Sequence, residues 1–86
     1  MNINELIAIV KNKLEAEILI QNLKIEDKSF LHKNHKGHQE GKFHLKLIIS
    51  STELRKLNRI GSNKRIYKVL DQEMKKYIHS LQILIS

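Results

Sequence analysis

The chain has 86 residues, 41% of them hydrophobic, and no cysteine. That length supports one small domain with a modest core, and the missing thiols exclude a disulfide, a cysteine nucleophile and any cysteine-built zinc or iron–sulfur site held by the chain alone. The net charge of +7 is split as −2 over residues 1–27 and +9 over residues 28–86, a polarity that attracts phosphate backbones, anionic lipid or acidic proteins. Lysine nevertheless outnumbers arginine 13 to 3, and Ile, Lys and Asn fill 33 of the 86 positions. An AT-rich coding sequence produces that bias with no binding role behind it.

The opening residues Met1-Asn2-Ile3-Asn4-Glu5-Leu6 lack the basic start, apolar run and cleavage site of a secretory signal, so a cytoplasmic location is expected. Apolar runs such as Leu47-Ile48-Ile49 are far short of the ~20 residues a membrane span needs. Ile3, Leu6, Ile7, Val10, Leu14 and Ile18 recur at steps of three and four, which predicts an amphipathic helix over residues 3–19. Asn2 is placed to cap it, with Glu5 in capping-box spacing. Leu23 to Ser29 alternates as a short strand. Residues 30–42 break every period and hold two of the three glycines, which predicts a polar loop. Phe43, Leu45, Leu47 and Ile49 then alternate with His44, Lys46, Ile48 and Ser50 as a strand buried on one face.

Thr52 to Leu57 reads as a short helix capped by Ser51 or Thr52 and ended by the turn Asn58-Arg59-Ile60-Gly61-Ser62. A second helix follows, capped by Ser62 or Asn63, with Ile66, Tyr67, Leu70, Met74, Tyr77 and Ile78 on one face through about residue 77. Leu81, Ile83 and Ile85 alternate through a final strand over residues 80–85. The expected fold is α+β in the order helix, strand, strand, helix, helix, strand. A three-stranded mixed sheet with helices on one face would bury Leu6, Ile7, Val10, Leu14, Leu45, Leu47, Leu70 and Met74.

No phosphate-binding glycine loop, nucleophile elbow or paired carboxylates occur, so nothing points to an enzyme. Four of the five histidines, His32, His35, His38 and His44, fall within thirteen residues. Imidazoles at that spacing are able to converge on a borderline metal or to give one ligand to a shared cluster; solvated loop histidines are the simpler reading. His79 stands where the last helix is expected to give way to a strand, where a helix C-terminal cation is reason enough for it. Arg55, Lys56, Arg59, Lys64, Arg65 and Lys68 crowd the two-helix segment, a candidate nucleic-acid face. The element order also matches a KH domain, yet Asn58-Arg59-Ile60-Gly61 has one glycine where the KH clamp has two, and stacking aromatics are scarce.

The run Ser29-Phe30-Leu31-His32-Lys33-Asn34-His35-Lys36-Gly37, then Gly41-Lys42-Phe43-His44-Leu45 leading into Leu47-Ile48-Ile49-Ser50-Ser51, resembles the Ser-x-x-His-x-x-His-x-Gly loop and His-Phe strand of the BolA family. Ile66-Tyr67-Lys68-Val69-Leu70-Asp71-Gln72-Glu73-Met74 and Ile78-His79-Ser80-Leu81 resemble that family's second helix and its closing Val-His-Ala-Leu. The chain departs from the family in having Leu54-Arg55-Lys56 for Phe-x-Gly and Ser62-Asn63-Lys64 for Arg-His-Arg. The resemblance implies one BolA-like domain over residues 1–86, with a KH-like fold of class II. It also implies a non-enzymatic partner of a monothiol glutaredoxin, sharing or receiving a [2Fe-2S] cluster in cluster trafficking or iron sensing. His79 and His32 are the implied ligands, with His35 in reserve, and the partner supplies the thiolates, so the isolated chain is expected to be a monomer that binds no cluster. Some BolA-like proteins are regarded as transcriptional regulators, so DNA binding through the basic segment is the alternative.

Overall fold

The computed structural model describes residues 1–29 and 42–86. Helix α1 (Ile3–Glu17) is capped by Asn2, whose Oδ1 accepts the Glu5 amide at 2.8 Å; Glu5 Oε1 reaches back at 2.9 Å to the Asn2 side-chain Nδ2 instead of the backbone amide of the expected capping box. Strand β1 (Asn22–Asp27) pairs antiparallel with β2 (Phe43–Ser50), and β2 pairs parallel with β3 (Ile78–Ile85). Between β2 and β3 lie the short helix α2 (Thr52–Arg55), then α3 (Arg59–Val69) and α4 (Asp71–Lys76). The result is the α+β fold expected, with a mixed three-stranded sheet in the order β1-β2-β3. No helix among the described residues is long and apolar enough to cross a membrane.

The core gathers Leu6, Val10, Leu14 and Ile18 from the α1 side, Leu45, Leu47 and Ile49 from β2, and Leu54, Ile66, Leu70 and Ile78. The alternation of β2 puts its three core residues on the helix side, which leaves Lys46 and Ile48 on the other. Two expected core positions are only half-buried, Ile7 and Met74. For Met74 the reason is the interruption at Leu70, where φ −97° and ψ 19° end α3 and open α4. That break shifts the helical phase, so Glu73 is the residue turned inward, at 5% exposure.

The helix after α2 also starts one turn earlier than expected. Its cap is Asn58, whose Oδ1 accepts the Gly61 amide at 2.7 Å, while Ser62 is buried inside the helix and donates back to the Arg59 carbonyl. Asn caps as well as Ser does, and Gly61 falls in the first turn, where its amide is the one the cap receives. Ser51, not Thr52, caps α2, accepting the Leu54 amide and donating to the Leu19 carbonyl at 2.7 Å. At the far end β3 starts at Ile78, so His79 belongs to the strand and not to a helix terminus.

Candidate functional site

The parallel register between β2 and β3 slips once. Phe43 is paired with Ile78 and His44 with Ser80, so His79 is the extra residue of a β-bulge. A bulge leaves its residue out of the ladder and re-aims the side chain, and His79 is accordingly exposed. Its ring nevertheless has a neighbour: the His44 ring, 4.9 Å away between centroids and tilted by 39°. His44 is 7% exposed, and its Nδ1 stands 2.6 Å from Ser80 Oγ. That contact fixes the ring's orientation, with donor and acceptor set by the tautomer.

Both ends of the histidine-rich segment are tied to this spot. On the incoming side the Lys28 amide donates to the His44 carbonyl at 2.7 Å, and the His44 amide donates to Ser29 Oγ at 3.1 Å. On the outgoing side the Phe43 amide donates to the Tyr77 carbonyl at 2.8 Å, while Lys42 Nζ donates to the Lys75 carbonyl. The chain therefore leaves and re-enters the sheet beside His79. His32, His35 and His38 lie outside the described residues. Among the described residues no three His, Cys, Asp or Glu gather as a metal site would require. The chemistry of the donors fits a single imidazole, or a pair, offered to a centre whose remaining ligands come from elsewhere.

Sequence reasoning grouped His44 with the loop histidines and did not foresee its contact with His79. The two are 35 positions apart, and no periodicity signals a bulge in a parallel pair. A cross-strand pairing of β2 with β3 in register would have been the only pointer.

Four of the six basic residues split between two grooves. Arg65 and Lys68 line a groove of about 440 Å³ between α1 and α3, together with Lys13, Ala16, Glu17 and Val69. Arg65 is engaged there: it donates to the Glu17 carbonyl at 2.8 Å and lies 2.9 Å from Glu53 Oε2, a charge contact without hydrogen-bond geometry. Arg55 and Arg59 line a second groove of about 500 Å³ beside the end of β3. Lys56 and Lys64 are exposed and line neither.

A family model described as BolA-like protein matches residues 14–86. The chain belongs to the BolA family. It is 29% identical over 75 residues to a Haemophilus influenzae protein named DNA-binding transcriptional regulator BolA, covering 87% of this chain and 70% of that one. Among solved structures, the BolA domain of SufE1 from Arabidopsis thaliana superposes with a TM-score of 0.78 at 27% identity, over 100% of this chain and 93% of its own. BolA1 from Arabidopsis thaliana gives 0.76 at 26% identity, over 92% and 87%. These BolA domains support the fold described above.

Proposed function

We propose that this BolA-family chain is a non-catalytic partner of a monothiol glutaredoxin and contributes histidine to a shared [2Fe-2S] cluster. The observation that carries the reading is His79 itself: an exposed imidazole on a bulge, set against a second ring, where the segment bearing His32 and His35 leaves and rejoins the sheet. Neutral imidazole binds iron, and a cluster held this way is a one-electron centre whose potential rises where imidazole replaces thiolate. With no cysteine in the chain, the thiolates belong to the partner. His79 offers one ligand and His32 or His35 the second; His44 orients the His79 ring by contact.

The test is a titration of the chain into cluster-loaded monothiol glutaredoxin, read by visible absorption and circular dichroism. A heterodimer should form with a spectrum unlike that of the glutaredoxin homodimer. His79→Ala should remove that difference and leave the far-ultraviolet spectrum alone, because the side chain is exposed and contributes little to the core. His38→Ala is the control and should change neither. Identical heterodimer spectra for His79→Ala and wild type would sink the ligand assignment, and failure to form any heterodimer would sink the function.

Nucleic-acid binding is the second reading. It is favoured by the name of the Haemophilus relative and by the exposure of Arg55, Lys56, Arg59, Lys64 and Lys68 along α2 and α3.

A further inference from the structure

The two outer strands of the sheet are unlike. β1 carries Lys24, Glu26 and Asp27, the charges by which natural edge strands discourage pairing with other chains. β3 runs Ile78-His79-Ser80-Leu81-Gln82-Ile83-Leu84-Ile85, eight residues with no Lys, Arg, Asp, Glu or Pro. In a chain that is 29% charged, the longer edge is the unguarded one. The direction of its backbone follows from the ladder. Ser86 donates to the Ile49 carbonyl at 2.9 Å, and Ile49 is paired with Ile85. A parallel pair bonds residue 49 to the neighbours of 85, so residues 80, 82, 84 and 86 turn their backbone groups to β2. Leu81, Ile83 and Ile85 turn theirs outward. Of these, the Leu81 carbonyl accepts a long 3.4 Å contact from the Tyr67 hydroxyl; among the described residues no strand pairs with this edge.

The outward edge runs alongside the 500 Å³ groove formed by Leu54, Leu57, Ser62 and Asn63 against Ile83 and Ile85, with Arg55 and Arg59 at its rim. Leu57 at 41% and Ile60 at 67% exposure add apolar surface at the turn between α2 and α3. Backbone donors and acceptors, a groove for alternate side chains and a charged rim are the parts of a strand-addition site.

We propose that β3 and this groove form a docking site for an extended acidic segment of a partner protein, which adds a fourth strand outside β3. The occupant is read from charge. Two arginines at the rim and a chain of net charge +7 oppose pairing between two copies of β3, whereas a segment alternating carboxylates with aliphatic residues matches both the cations and the apolar floor. The site is independent of the histidine pair, which sits at the opposite end of the same strand.

The test titrates isotope-labelled full-length chain with a short synthetic peptide alternating aspartate and isoleucine, followed by amide shifts and hydrogen exchange. Binding should protect the amides of Ile83 and Ile85 and shift those of Arg55 to Asn63, and it should weaken as salt rises. Arg59→Glu should weaken binding by about tenfold without disturbing the fold, since Arg59 is exposed. Ile83→Pro, which removes an outward amide and none of the bonds to β2, should abolish it. Equal binding by a control peptide that alternates lysine with isoleucine, unprotected Ile83 and Ile85 amides, or indifference to Arg59→Glu would overturn the proposal. So would tighter binding of single-stranded oligonucleotide at the same amides, or dimerisation of the chain through β3.

Discussion

Glu73 shows how the balance of one ion pair depends on which partner is buried. Its carboxylate is nearly enclosed, with Oε2 at 2.7 Å from Lys13 Nζ and Oε1 without a hydrogen-bond partner, while the Lys13 side chain keeps 40% of its exposure. Removing the lysine strands a buried charge; removing the glutamate only returns the lysine to water. Lys13→Met should therefore lower stability by about 1–3 kcal/mol, the cost of leaving a buried acceptor unpaired. Glu73→Met, which replaces an incompletely satisfied carboxylate by an apolar chain of similar size, should be neutral or stabilising. Urea midpoints of the two variants decide it, and the opposite ranking would show that the carboxylate has compensation other than Lys13.

At the level of elements, the parts legible from sequence were those governed by period. The faces of α1 and β2 follow from Leu6, Val10 and Leu14 and from Leu45, Leu47 and Ile49, all of them buried. What period does not carry is competition between neighbouring caps: Asn58 and Ser62 both suit a helix start, and Gly61 between them reads as a stop. The choice of Asn58 places Gly61 in the first turn, where an added Cβ would stand 3.1 Å from the capping Oδ1. The interruption at Leu70 was equally hidden, since Ile66 and Leu70 keep helical spacing straight up to it. So was the His44–His79 contact, which depends on a bulge between strands separated by three helices. Asn58→Ala should cost about 0.5–2 kcal/mol, the usual range for a lost cap, whereas Asn63→Ala, one of the two caps the sequence offered, should cost a few tenths. Thermal midpoints from circular dichroism would show the difference, and equal losses would mean that the helix start is shared between the two.

For the whole molecule, the question is whether a charge of +7 acts as one surface. The sequence places six cations within fourteen residues, but the fold turns Arg65 toward the end of α1 and leaves Arg59 in the open. Arg65 holds the Glu17 carbonyl, where a cation also complements the helix C-terminus, and faces Glu53; its worth is structural, of order 1 kcal/mol for a pair this exposed. Arg59 has its charge available. If the second reading of function holds and duplex DNA binds along α2 and α3, Arg59→Gln should lower affinity and reduce the slope of log K against log salt by about one, with the melting temperature unchanged. Arg65→Gln should do the reverse, lowering the melting temperature and leaving the slope as it was. Fluorescence anisotropy across a salt series measures the first quantity and thermal denaturation the second. Equal loss of slope in both variants would mean that the cations work as a single face despite their separate partners. An absence of salt dependence in the wild type would remove nucleic acid as a ligand, and leave the positive charge to act by steering acidic proteins toward the site.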